Sequence, residues 1–409
     1  MKAIFRVSVL GLVLFALVGF TATASFAQTD EKAELYQKYT DNYAGDINQR
    51  RIAVEAAKEF IKRYENSADD KAIIDYLKGA LPALEQGIAD EQKAIDEYNR
   101  KVKEAEEQQA RLNALDAAMN AKEWKKVFQT GQAVIDAHDP AEVDVVLVLA
   151  GVGNTLMYEK QDQFNQDALK YAQMAIKMIE SGKKSSNDQW GAYNYSFGSS
   201  DNALGWLNYY VGYTKQYRMS DTAGAIPYFF KALNSNSDKK NDPDAYRVIG
   251  AWYITRSKEV TDKRNATLEE RNAETKAETP DEEKIKSLDA RIDELVAMEK
   301  GFAERAIDAY SRAYANVAED QKSSQYATNL FNSLKNLYQF RWFDKPERAS
   351  EANIKADLAM INSKSMPDPE STVQPVFDNK TPAATETTTS GATRSRTAAT
   401  KTDTASNNR

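Results

Sequence analysis

The chain has 409 residues, a formal charge of −7 from 54 basic and 61 acidic side chains, one histidine and no cysteine. The missing cysteines exclude disulfides, thiol chemistry and a lipid-bearing N-terminal cysteine, so a folded core has to hold itself together by packing. The acidic and basic residues are interspersed rather than blocked, which argues against nucleic acid as a partner.

The first 27 residues read as an export signal. Lys2 and Arg6 precede an apolar run from Val7 to Phe20, and Ser25-Phe26-Ala27 makes an acceptable cleavage site before Gln28. The competing reading is an uncleaved membrane anchor, but the run falls short of the roughly 20 residues that span a bilayer. Without Lys2 and Arg6 the formal charge becomes −9. The expected location is periplasmic or secreted.

Residues 28–363 are expected to be one all-α region, because apolar residues recur at helical spacing and strand-like alternation is nearly absent. Its size calls for either two cores or an elongated stack. Leu35 to Tyr64 reads as a helical hairpin. From Ala83 to about Met119 a long charged helix carries Ile88, Ile95, Tyr98, Val102, Ala105, Leu112 and Leu115 along one stripe. Trp124, Val127, Gly131 and Val134 form a further helix that ends at Asp139-Pro140. The run Val145 to Gly153 looks like a strand entering a dinucleotide-binding turn. That fingerprint needs Gly or Ala three residues after Gly153, where Leu156 stands, so the run is expected to be a buried helix instead.

Ala168, Ala172 and Ala175 share a helix face. A loop from Gly182 to Ser200 is rich in aromatics (Trp190, Tyr193, Tyr195 and Phe197), and the helix from Asn202 to Arg218 adds a stripe of Trp206, Tyr209, Tyr213 and Tyr217. Ala225, Phe229 and Ala232 then make a small–aromatic–small triplet. Tyr246, Ile249, Gly250 and Tyr253 lie together on the next helix, and Ala306, Tyr310 and Ala313 repeat the triplet.

These patterns resemble the tetratricopeptide repeat, whose first helix carries aromatic–aliphatic–Gly–Tyr and whose second carries small–aromatic–small. The resemblance is strongest from Ala203 to Val317, fainter from Leu112 to Ile179, and hairpin-like only at Tyr326 to Ile361. It implies a TPR-like α-solenoid of five to seven helical hairpins. Ala306 falls 53 positions after Tyr253 where the repeat expects nine, an insertion of 44 residues between two helices. Thr279-Pro280-Asp281-Glu282 reads as a helix start within it, with Thr279 as the cap. Ile285, Leu288, Ile292, Leu295 and Phe302 follow a heptad that Glu299 breaks. Residues 256–302 are thus expected to form a helical arm, a candidate for self-association. From 364 onward, Pro-rich and then Thr/Ser/Ala-rich sequence reads as a disordered tail to 409.

Such stacks bind polypeptides on the wall lined by first helices. The expected function is therefore a non-catalytic scaffold or adaptor of the cell envelope that holds a protein or peptide partner. Candidate contact residues are Trp190, Tyr193, Tyr195, Trp206, Tyr209, Tyr213, Tyr217, Arg247 and Thr255. The alternative is a glycan or small-ligand binder using the 190–217 aromatics. No cofactor and no metal site is expected, because the lone His138 sits beside Asp139-Pro140 with no second histidine or cysteine to join it.

Overall fold

A computed structural model describes residues 26–378. Twelve α-helices form among these residues, packed as sequential pairs. The expected export signal lies almost wholly outside the described residues. The chain divides into two units, residues 1–110 and 111–409, with the boundary inside one helix.

In the first unit α1 (Phe26–Asn42) packs on α2 (Ile47–Tyr64), and the beginning of α3 (Lys71–Asn120) joins their core. Asp46 starts α2 by accepting the Asn48 and Gln49 amides while Gln49 reaches back to its own amide. Tyr39, Ala57, Phe60 and Leu77 are fully buried there. The third helix begins twelve residues before the expected Ala83 and runs through Pro82. Pro82 and Lys78, whose carbonyl loses its amide partner, both face solvent, where water supplies the missing bond.

In the second unit α4 (Trp124–Asp136) comes first, and α5 (Glu142–Tyr158) pairs with α6 (Asn165–Glu180). A loop carries a two-residue β1 (Gly191–Ala192) and β2 (Tyr195–Ser196), paired antiparallel. There follow α7 (Ser200–Arg218), α8 (Thr222–Asn234), α9 (Pro243–Thr275), α10 (Glu282–Ala315), α11 (Gln325–Arg341) and α12 (Glu351–Met360). The Val145 run is a buried helix: all but three residues of α5 are inaccessible, which explains its apolar character on every side.

The repeat-like patterns of α8, α9 and α10 point inward. Tyr246, Ile249 and Tyr253 are buried on α9, and the triplets of α8 and α10 are buried beside them. The inserted arm consists of α9 and α10 continued as one antiparallel pair of 33 and 34 residues. Its apolar stripe is spent on that pairing, with Leu295 and Phe302 buried and Ile285, Leu288 and Ile292 half-buried. Glu299, which interrupts the heptad, is buried and paired with Arg264 at 3.0 Å.

Two expectations need correction. The cap of α10 is Asp281, not Thr279: its carboxylate accepts the Lys284 amide, while Glu274 accepts the Asp281 amide and pairs with Lys284. A charged bracket across the turn thus sets the start of the helix. The tail does not begin at 364 either. Residues 364–378 form an extended strap against α10 and α11, burying Met366 and Val373 in the core. The Val376 amide donates to the Ala297 carbonyl, and Asp378 pairs with Arg341 at 2.9 Å and Lys300 at 2.6 Å. A few apolar residues and one carboxylate suffice to seat a stretch whose composition alone reads as loose. The remainder, 379–409, lies outside the described residues.

Candidate functional site

The aromatic loop between α6 and α7 is tied to α5 by one carboxylate. Asp144 is 4% exposed and accepts the Ser186 hydroxyl (2.6 Å), the Ser186 amide (2.9 Å) and the Gly191 amide (3.0 Å), as well as the Ser185 hydroxyl. Each bond offsets part of the cost of burying the charge. Tyr195 lies against α5 where Gly151 leaves room; a Cβ on that glycine would come within 2.3 Å of the ring. Trp190 is half-buried against the core of the second unit, and Phe197 is buried. Tyr193 stands at the hairpin tip, 51% exposed, at φ = 54°, a conformation that costs most residues energy, with its hydroxyl on Asp116.

The stripe on α7 is a ladder of rings. Centroids run from Trp206 to Tyr209 at 6.3 Å, Tyr209 to Tyr213 at 6.1 Å and Tyr213 to Tyr217 at 4.5 Å. Ser199 starts the helix by accepting the Asn202 amide, and spacings of three and four place all four rings on one side. Tyr158, at the end of α5, adds a rung 4.8 Å from Tyr213. The Lys239 ammonium sits 3.9 Å from the centre of Tyr209 and 4.2 Å from that of Trp206, and it is also held by Asp242 at 3.0 Å.

The ladder ends on a polar knot. The Tyr217 hydroxyl donates to Asp244 (2.9 Å) and accepts from Arg247 Nη2 (2.7 Å), whose Nε donates to Asp244 (2.8 Å). Burial opposes the charge on Arg247, but Asp244 and the Tyr217 hydroxyl outweigh it and strengthen its hold on the proton. Burial also pushes Tyr158 and Tyr326 up to about 12, helped by Tyr213 and the α9 carboxylates for Tyr158 and by Asp244 for Tyr326. These hydroxyls therefore remain protonated, able to donate and accept, at any physiological pH.

Beyond the knot an open cleft of about 520 Å³ is lined by Asp244 and Arg247 of α9, Tyr310 of α10, and Tyr326, Asn329 and Ser333 of α11. Farther along the same faces of α9 and α11, an apolar cavity of about 210 Å³ lies between Ile254 and Phe340, floored by Ala303 and Ala306. Ile254 and Phe340 are both exposed at its mouth.

The structure thus brings together Trp206, Tyr209, Tyr213, Tyr217 and Arg247. Tyr209 is buried and serves as the ladder's support rather than its surface. Tyr195 is occupied in fixing the loop to α5, and Trp190 packs against the core. Thr255 is two turns from Arg247 and gives its hydroxyl to the Ala251 carbonyl. Reading the sequence missed Tyr158, Asp144, Lys239, Asp244 and Tyr326. Tyr158 closes an apolar run and Tyr326 opens a hairpin, so neither belongs to a stripe; Asp144 looks like an ordinary first-turn acid of α5.

Comparisons of this chain with protein-family models, with curated proteins and with solved structures give no match.

Proposed function

We propose that this chain is a non-catalytic scaffold of the cell envelope, a divergent stack of tetratricopeptide-like helix pairs that holds a polypeptide partner on its first helices. The observation that carries the reading is the ladder from Trp206 to Tyr217 and its continuation through Arg247 to Tyr326. Residues from α5, α7, α9 and α11, the first helix of each successive pair, meet in one line. Gly250 against Tyr310 and Gly212 against Phe229 supply the close helix contacts that the repeat resemblance calls for.

Ring geometry favours a polypeptide over a glycan. Stacking a sugar needs a free ring face, whereas these rings tilt onto one another and Lys239 covers Trp206 and Tyr209. The ladder leads instead to the polar knot of Tyr217, Asp244 and Arg247, whose donors and acceptors suit backbone and side-chain hydrogen bonds.

A photo-reactive phenylalanine analogue at Tyr217, with the chain in its native envelope, tests the reading. A discrete protein adduct that disappears with Trp206→Ala or Arg247→Ala supports it. Absence of an adduct, combined with sugar quenching of tryptophan fluorescence, overturns it in favour of the glycan reading.

A further inference from the structure

We propose that residues 93–107 of α3 are a self-association element that pairs antiparallel with the same segment of a second copy, centred on the level of Arg100.

Every residue from Lys93 to Glu107 is exposed, four turns of helix with no neighbour on any side among the described residues. A solvated helix of this kind is normally polar all round. This one is not: Ile95, Tyr98 and Val102 lie on a single stripe with Ala105, and Tyr98 is 67% exposed. The charged pairs that support the lone helix (Glu97 with Lys101, Arg100 with Glu104 and Lys103 with Glu107) all lie off that stripe. The comparable stripe on α10 is covered by α9, whereas that of α3 is left open.

The pattern also says what covers it. Ile95 and Val102 occupy heptad position a, with Gln109 after them; Glu91, Tyr98 and Ala105 occupy d. In an antiparallel pair each a residue lies across from a d residue of the other helix. The register centred on Arg100 sets Ile95 across from Ala105 of the second copy, Tyr98 across from Val102, and Glu91 across from Gln109. Large meets small, and polar meets polar. Sliding by one heptad in one direction puts Val102 across from Glu91, and in the other Tyr98 across from Gln109. The exposed window 93–107 has its midpoint at the same residue. Two independent features, side-chain complementarity and the extent of free surface, thus select one register. About two heptads per helix make a small contact, below about 1,200 Å², so association on the order of micromolar is expected.

The absence of native cysteine makes a direct test available in the full chain. In the proposed register Asn99 of each copy lies within about 3 Å of the other along the axis, and on the same flank. Asn99→Cys should give a disulfide-linked dimer under mild oxidation. Gln92→Cys, separated from its counterpart by about 24 Å in that register, should not. Sedimentation equilibrium should show a reversible dimer of the unmodified chain that Tyr98→Glu weakens at least tenfold, with helical circular dichroism retained. A chain that stays monomeric at 100-fold above ~1 µM overturns the proposal. So does a dimer indifferent to Tyr98→Glu, or one in which Asn99→Cys links no faster than Gln92→Cys, which would place the contact elsewhere or in another register.

Discussion

Gly250 on α9 faces the ring of Tyr310 on α10 so closely that a Cβ there would stand 2.5 Å from Tyr310 Cδ2. The contact repeats on α7 and α8, where a Cβ on Gly212 would meet the Phe229 ring at 3.1 Å. A first helix yields its side chain so that the aromatic of the second can reach the backbone, and the two helices close up.

Gly250→Ala should therefore cost about 1–3 kcal/mol in urea unfolding, since the ring has no slack in a packed core. Gly212→Ala, with the looser contact, should cost less. In a Tyr310→Leu background the Gly250→Ala penalty should shrink, and a double-mutant cycle reads the coupling. Equal penalties in both backgrounds would show that the ring contact is not the reason for the glycine.

Asp144 should behave as the anchor of the aromatic loop. Replacing it with alanine strands the Ser186 and Gly191 amides, and roughly 1–3 kcal/mol of stability should be lost. Emission from Trp190, half-buried against the core, should shift to the red, followed in a variant whose other tryptophans are phenylalanine.

Acid should loosen the strap before it unfolds the helices. Arg341, and after it Lys300, hold the Asp378 carboxyl down at about 2, despite the opposing effect of burial. A depressed acid contributes stability that is whole above its ordinary value near 3.8 and is lost as pH falls from there toward 2. Amide exchange at 373–378 should rise across that window while helical circular dichroism persists. Asp378→Asn should show the fast exchange already at pH 7.

Alkali should act through the buried tyrosines. Burial pushes Tyr171 and Tyr253 up to about 12, with nearby carboxylates adding to the effect for Tyr171 and Arg305 opposing it for Tyr253. A raised phenol favours the folded chain fully below pH 10, where the unfolded phenol ionises, and loses that advantage as pH climbs to 12. Ultraviolet titration should show these two phenols ionising only near 12 or on unfolding. Ionisation of all tyrosines in one step near 10 in a folded chain would contradict their burial.

Helix class, the buried Val145 run, the long α9–α10 pairing and the inward-facing triplets are all legible in the sequence, because each depends on spacing along one helix. Periodicity of 3.6 is a local property, and the faces it marks must be buried somewhere. Where they are buried is another matter. Ile285 to Leu295 and Ile95 to Val102 look alike as strings, yet the first set is covered by α9 and the second by nothing among the described residues. Tyr209 and Tyr217 occupy one stripe, but only the neighbouring α8 and α9 make one a support and the other a surface. The Asp144 anchor, the Arg247 knot and the seating of Asp378 on Arg341 join residues 42, 30 and 37 positions apart. Such partners are set by how helices stack, which no local pattern encodes, so tertiary structure alone decides them.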